Sequence, residues 1–125
     1  MQNHPDLYVA VSTRSNDREL DNKHVTLCYM KAEETKKLYI NDIFPEKEVG
    51  EVVDVVYWER VNLTVAIVKC EQIVTANKFL DDAGFKYGYE FIPHVTICTG
   101  DESFNLKRLI GMYLILEKPY VRLRA

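Results

Sequence analysis

The sequence predicts an α+β fold in a single domain over residues 1–125, and three observations lead to it. A chain of 125 residues is long enough to bury a hydrophobic core without disulfides or a structural metal. Segments rich in β-formers are interspersed with a few segments of helical periodicity, an order typical of α+β domains. The stretch HVTLC, which begins at His24, returns as HVTIC at His94. This repetition indicates an internal duplication, with one copy in each half of the domain.

The first predicted elements are two strands and a helix. LYVAVS at 7–12 and HVTLCYM at 24–30 are rich in β-branched and aromatic residues, and the polar stretch between them predicts a turn. KAEETKKLYINDIF at 31–44 has the composition of a helix, which Pro45 ends. The first copy of HVT therefore begins a predicted strand.

The rest of the chain continues the mixture of strands and helices. The remaining predicted elements are two strands, a helix, a strand and a short helix, over 49–60, 63–70, 71–85, 89–98 and 103–111. The helix at 71–85 is the clearest, because its apolar residues recur along one side and Gly84 provides a C-terminal stop. The closing segments MYLILE and PYVRLRA predict a hairpin or a pair of strands around Lys118 and Pro119.

Composition and charge exclude several classes of protein. Hydrophobic residues make up 47% of the chain, but no apolar run approaches the roughly 20 residues that a membrane-spanning helix needs. The N-terminus lacks the basic-then-apolar order of a signal peptide, and three cysteines without a CxxC pair favour reduced thiols in the cytoplasm. The net charge of −3 argues against a protein that tracks long nucleic acids, since such proteins usually carry a basic stripe.

The two HVT copies place the same residue types on one face of each strand. Side chains of a strand alternate between its faces, so each copy presents a histidine, a threonine and a cysteine together: His24, Thr26 and Cys28 in the first, and His94, Thr96 and Cys98 in the second. The aliphatic residues between them can face a core. If a pseudo-twofold relation brings the halves together, two imidazoles and two hydroxyls face one central cleft.

That set of side chains suits the cleavage of a phosphodiester. In-line attack at phosphorus needs a base for the nucleophile and an acid for the leaving oxygen, and histidine serves both purposes near neutral pH. Threonine hydroxyls can donate hydrogen bonds to the non-bridging oxygens. The sequence has no HExxH or other metal motif, so we expect neither a metal nor a cofactor. A single His-x-Thr is more often structural, and a structural duplication is the alternative, but the paired copies favour catalysis.

With its two His-x-Thr motifs, at 24–26 and 94–96, the chain resembles the 2H phosphoesterase superfamily over nearly its whole length. The resemblance implies a bilobal, pseudo-twofold α+β fold with two antiparallel sheets around a central cleft and helices on the outside. It also implies metal-independent cleavage of 2′,3′-cyclic phosphates, 2′–5′ linkages or cyclic nucleotides. His24 and His94 would then be the acid/base pair, and Thr26 and Thr96 would bind the phosphate. Which histidine is the base is left open.

A narrower resemblance concerns the substrate. The run over 52–98 looks similar to compact 2H proteins of bacteriophages, some of which are anti-CBASS enzymes that hydrolyse cyclic di- and trinucleotide signals. Only residues 13–23 join the first two strands, which is shorter than in larger cellular RNA cyclic phosphodiesterases. We therefore expect a small cyclic nucleotide or a short RNA end as the substrate. We also expect a monomer that does not bind a membrane and that acts in the host cytoplasm if a phage encodes it. The alternative is a protein that sequesters such a ligand without turnover.

Four further residues are predicted to bind substrate: Tyr8, Trp58, Tyr89 and Arg122. Aromatic rings near a phosphate site can stack nucleobases, each with about 1–3 kcal/mol. An arginine can hold a phosphate through paired hydrogen bonds. The alternatives are ordinary cross-strand packing for the rings and a solvated strand face for Arg122.

Overall fold

The computed structural model describes residues 7–30, 47–82 and 90–123. Its strands and α-helices, in chain order, are β1 Leu7–Arg14, β2 His24–Met30, β3 Glu48–Trp58, β4 Leu63–Lys69, α1 Glu71–Asp82, β5 His94–Thr99, α2 Ser103–Leu106 and β6 Tyr113–Leu123. Short 3-10 helices follow β3 and α2, at Glu59–Val61 and Lys107–Leu109. The predicted helix at 31–44 and the predicted substrate residue Tyr89 lie outside the described residues. No helix of the described part is long and apolar enough to cross a membrane.

The described strands form one antiparallel sheet in the order β2-β1-β6-β3-β4-β5. β6 lies inside this sheet and pairs with β3 through residues 113–116 and with β1 along most of its length. The two sheets expected from the resemblance are therefore continuous through β6. β1 and β2 lie on one side of this strand, and we call them the first half; β3, β4 and β5 lie on the other side, and we call them the second half.

The hairpin predicted at the end of the chain is wrong, because β6 runs through Lys118 and Pro119 as one strand. In the pairing with β1, Leu116 lies opposite Thr13 and Pro119 lies opposite Val11, so two residues of β6 oppose one residue of β1. Such a bulge leaves room for a residue that cannot donate a backbone hydrogen bond. Proline therefore bends the strand without ending it.

The sheet curls so that its two outermost strands meet. β2 and β5 stand at opposite ends of the strand order, and yet they contact each other. β2 begins with the first HVT and β5 with the second. The curl therefore brings together the two copies, which are far apart both along the chain and along the sheet.

One hydrophobic cluster fills the side of the sheet that α1 covers. Ile73, Ala76 and Leu80 line the inner side of α1, as the periodicity predicts, and α1 packs against β2. Val74, which the periodicity places on the same side, is exposed instead, and Ala83 lies outside the described residues. The buried strand residues of this cluster include Val9, Val11, Val25, Leu27, Val52, Val55, Ala66, Val68, Val95, Ile97, Leu114 and Leu116. The aliphatic residues of both HVT copies thus face the core, which confirms the prediction for them.

The cysteines of the two copies do not share the face of the histidines. In the pairing of β1 with β2, Val9 lies opposite Cys28 and Ala10 lies opposite Thr26, so Leu27 is an extra residue. This β-bulge turns the side chain that follows it to the other face. Cys28 is therefore fully buried in the core. The strict alternation used for the prediction fails at this position.

The second copy carries the same irregularity at the same place. In the pairing of β4 with β5, Thr64 lies opposite Cys98 and Val65 lies opposite Thr96, so Ile97 is the extra residue. Cys98 packs against the core. Both motifs thus consist of a histidine and a threonine on one face, followed by a bulge.

Candidate active site

The histidines and threonines of the two HVT copies lie on the face of the sheet opposite to the core, and we call this side the motif face. Its members in the first half follow from the register, because residues opposite each other in a ladder point to the same side. Thr26 lies opposite Ala10, and His24 lies opposite Ser12. His24 is half-buried, as are His94 and Thr96 in the second half.

The chain immediately before His24 is fixed by a buried threonine. The hydroxyl of Thr13 donates to the carbonyl of Leu20 at 2.6 Å and accepts from the amide of Lys23 at 2.9 Å. Before His94, the amide of Val68 donates to the carbonyl of Pro93 at 2.9 Å. Each histidine therefore begins its strand directly after a hydrogen-bonded anchor.

His24 is held mainly by an aromatic neighbour. The ring of Tyr8 stacks on the imidazole with centroids 5.3 Å apart and planes at 27°. Burial lowers the pKa of His24 below the usual 6.5, and the charges of Arg122 and His94 lower it further. The neutral imidazole is therefore the main form of His24 at pH 7.

His94 is held by a hydrogen bond. Its Nδ1 lies 2.8 Å from the carbonyl oxygen of Ile92. A carbonyl can only accept, so Nδ1 carries the proton and Nε2 is left to exchange protons with a ligand. Burial lowers the pKa of His94, while the bond to Ile92 favours the protonated ring and opposes part of that effect. Trp58 meets the imidazole edge-on, with centroids 4.5 Å apart and planes at 66°.

The two threonines have matching surroundings. Thr26 lies opposite Ala10, and Thr96 lies opposite Val65. Both partners are fully buried and apolar. The facing side chain on the inner strand therefore offers the hydroxyl no polar partner in either copy, and each half-buried hydroxyl is available to a ligand on the motif face.

Arg122 brings a positive charge to the motif face of the first half. It lies opposite Tyr8 in the pairing of β1 with β6, and Tyr120 lies opposite Ala10. The guanidinium carbon is 5.0 Å from the centroid of the Tyr120 ring, a cation–π contact. Burial and the neighbouring Tyr8 raise the pKa of Tyr120, whereas Arg122 opposes this rise. Tyr120 therefore keeps its proton at neutral pH.

The structure brings most of the predicted site residues together. Tyr8 and Arg122 lie beside the first motif, and Trp58 lies beside the second. Tyr120 belongs to the same group although it was not among the predicted substrate residues. The signal that points to Tyr120 is its position two residues before Arg122 on one strand, which places both side chains on the same face. Sequence reasoning also missed the Ile92 carbonyl, since a backbone contact leaves no mark in the residue types.

Among the described residues, no group of three or more histidine, cysteine, aspartate or glutamate side chains is arranged to hold a metal ion. The expectation of a metal-free reaction stays a prediction that only solution chemistry can test.

Comparisons with known proteins give a match in structure but not in sequence. No family model matches the chain, and no curated protein matches it either. The fold is similar to the crystal structure of E. coli LigT complexed with 3′-AMP, with a TM-score of 0.66 and 14% sequence identity. The match covers 98% of this chain and 89% of LigT. LigT has the 2H phosphoesterase fold, so this likeness confirms the predicted α+β fold class.

Proposed function

We propose that the protein is a metal-independent phosphodiesterase in which His24 and His94 are the acid/base pair. The observation that supports this most is the meeting of the two HVT copies. The outermost strands of one sheet contact each other, and each begins with its motif histidine. Two half-buried imidazoles on one face, each with a threonine two residues further along the strand, are the groups that in-line phosphodiester cleavage needs.

The surroundings of the two histidines favour different roles. The carbonyl of Ile92 stabilises protonated His94, whereas the charge of Arg122 disfavours protonated His24. His24 is thus the better base, which accepts a proton from the attacking oxygen. His94 is the better acid, and its Nε2 donates a proton to the leaving oxygen as the bond from phosphorus to that oxygen breaks. After the step, His24 is protonated and His94 is neutral. One further proton transfer, from His24 to His94, restores the starting state.

The threonines and Arg122 would hold the phosphate during this step. Hydroxyls of Thr26 and Thr96 are placed to donate to the non-bridging oxygens, where negative charge increases in the transition state. Arg122 adds a full positive charge beside the first motif. These contacts do not need the threonines to change protonation.

The aromatic residues support a substrate with a nucleoside on each side of the scissile phosphate. Tyr8 lies beside His24, and Trp58 lies beside His94, so a ring is available at each end of the site. A cyclic di- or trinucleotide or a 2′–5′ linkage has a base on both sides, whereas a 2′,3′-cyclic mononucleotide has one. We therefore propose cyclic oligonucleotide signals of the anti-CBASS type as substrates, with Tyr89 as a further contact. A cyclic-phosphate RNA end is the next candidate.

A second candidate function is sequestration of such a ligand without turnover. The observation in its favour is that the pKa values of both His24 and His94 are lowered. An acid/base pair needs one protonated ring, and a pair that is largely neutral at pH 7 suits binding better than proton donation. A bound phosphate would oppose the lowering of these two pKa values, because its negative charge raises the pKa of nearby imidazoles.

A turnover assay in excess EDTA separates these functions. The substrates are cyclic di- and trinucleotides, 2′,3′-cyclic mononucleotides, 2′–5′ oligoadenylate and RNA with a cyclic-phosphate end, and products are resolved by chromatography. We expect cleavage of at least one cyclic oligonucleotide by the wild type, and cleavage at least about a hundredfold slower by His24→Ala or His94→Ala. Equal turnover by wild type and both variants would refute the acid/base assignment. Protection of a ligand from an added nuclease, without cleavage, would support sequestration instead.

A further inference from the structure

A side chain of α1 contacts the first motif from outside the sheet. Nδ2 of Asn77 donates a hydrogen bond of 2.8 Å to the carbonyl oxygen of Leu27. Leu27 is the extra residue of the bulge in β2, and it directly follows Thr26. Asn77 therefore binds the backbone at the point where the first motif departs from regular strand geometry.

The position of Asn77 on its helix indicates a tertiary role. Asparagine is a poorer helix former than alanine or leucine, and its short amide competes for nearby backbone groups. Asn77 nevertheless lies in the interior of α1, half-buried and next to Ala76, which is almost fully buried. β2 is the outermost strand of the described sheet, so a carbonyl on its outer side has no neighbouring strand to bond with. The Asn77 amide supplies that partner.

The hydrogen bond joins the two halves of the molecule. α1 begins two residues after β4 ends, and β4 pairs with β5, which carries His94 and Thr96. Asn77 is therefore attached, through a short and regular connection, to the framework of the second motif. Its amide binds the first motif.

We infer that Asn77 is a positioning residue, which holds the bulge at Leu27 and thereby sets His24 and Thr26 relative to the second motif. It lies on the core side of β2, away from the motif face, and acts only through the backbone. The inference rests on the proposed two-histidine function, because the relative placement of the motifs matters for chemistry only if both act on one phosphate. Small errors in such placement slow the reaction strongly, since misplacing a reacting group by about 1 Å can lower a rate by about 10²-fold.

The test replaces Asn77 with leucine, which has a similar size and favours helices but cannot donate. Thr75→Leu is the matched control, because Thr75 is an exposed uncharged residue of the same helix. Asn77→Gln restores an amide on a longer side chain. If Asn77→Leu does not fold, as judged by circular dichroism, Asn77→Ala takes its place.

Two readouts are measured on each variant. The first is the NMR titration of the imidazole Cε1 protons, with the signals of His24 and His94 assigned by His→Gln variants. We expect the His24 signal to move in Asn77→Leu, the His94 signal to stay, and Thr75→Leu to match the wild type. The second is turnover of the substrate found in the EDTA assay. We expect kcat to fall about tenfold to a hundredfold with KM little changed, and Asn77→Gln to recover part of the loss.

The outcomes are distinguishable from a failure of the proposed function. Absence of wild-type turnover would count against the phosphodiesterase, while the NMR titration would still decide whether Asn77 places His24. A folded Asn77→Leu protein with an unmoved His24 signal and normal kcat would overturn the inference alone. Equal displacement of both histidine signals, together with a lowered melting temperature, would also overturn it, because that pattern marks a merely structural side chain.

Discussion

The two HVT copies are nearly identical in sequence, but the molecule surrounds them differently. His24 is stacked against Tyr8, whereas His94 is hydrogen-bonded to the carbonyl of Ile92 and meets Trp58 edge-on. Stacking restrains the plane of a ring without choosing which nitrogen carries the proton. A hydrogen bond to a carbonyl chooses the tautomer. The duplicated residues are therefore equivalent, and the residues around them make the two imidazoles chemically different.

What the copies share is equally informative. Each has a bulge at the aliphatic residue after the threonine, and each threonine faces an apolar partner on the inner strand. The bulges turn Cys28 and Cys98 away from the histidines. The threonine contacts to a phosphate are thus expected to be symmetric between the halves, while proton transfer is expected to be asymmetric.

Removing either imidazole should have the strongest effect on catalysis, and a suitable substrate should tell the two histidines apart. His24→Ala and His94→Ala should each lower kcat by about 10²–10⁴-fold on a cyclic dinucleotide, the usual range for a general acid or base. On uridine 3′-(p-nitrophenyl phosphate), whose leaving group departs without protonation, His94→Ala should recover most of its activity and His24→Ala should not. Steady-state rates for the two substrates measure this. Recovery of His24→Ala instead would reverse the roles.

The next effect tests the symmetry of the threonines. Thr26→Val and Thr96→Val keep the shape of the side chain and remove its hydroxyl, so each should cost about 3 kcal/mol in transition-state stabilisation, as for one oxyanion donor. The losses should be similar because the two surroundings match. Single-turnover rates under saturating substrate give these values. A loss confined to one threonine would show that only one hydroxyl contacts the phosphate.

Removing Tyr8 or Trp58, the aromatic neighbours of the two histidines, should have a smaller effect on catalysis. Tyr8→Ala and Trp58→Ala should each weaken kcat/KM for a cyclic dinucleotide by about 1–3 kcal/mol if each ring stacks a base. For a 2′,3′-cyclic mononucleotide only one of the two variants should be impaired. Tyr8→Phe keeps the ring and serves as the control. Equal losses on both substrates in both variants would mean that the rings only support the imidazoles.

The smallest effect concerns pH. Because the pKa values of both His24 and His94 lie below the usual 6.5, kcat/KM should be highest on the acidic side of that value. It should already have fallen by neutral pH, since the acid loses its proton as the pH rises through its lowered pKa. Arg122→Gln removes a charge that lowers the pKa of His24, so this pKa should rise in the NMR titration. An alkaline optimum would contradict the assignment.

Local patterns in the sequence account for much of this fold. β2 is observed at His24–Met30, the bounds that its β-branched and aromatic residues predict, and α1 occupies most of the predicted 71–85. The periodicity also identifies Ile73, Ala76 and Leu80 as the residues of α1 that face the core, but it wrongly includes Val74, which is exposed. These features depend on neighbours a few residues apart, so a single sequence contains them.

The predictions that failed, for Cys28 and for Pro119, concern features that depend on two paired strands. Strict alternation predicts Cys28 beside His24, but a bulge exists only in relation to the partner strand. The break predicted at Pro119 ignored the room that β1 leaves opposite it. Neither feature can be derived from the residues of one strand alone.

Spacing and side-chain chemistry are local, so the residues alone predict that two His-x-Thr units begin two strands whose aliphatic residues face a core. That these strands meet follows from the three-dimensional fold alone, because a curled sheet brings its two edges into contact. The same is true of the contacts of Tyr8, Trp58, Ile92 and Asn77. Each of these contacts depends on how strands and helix pack in three dimensions, and packing is a property of the whole chain.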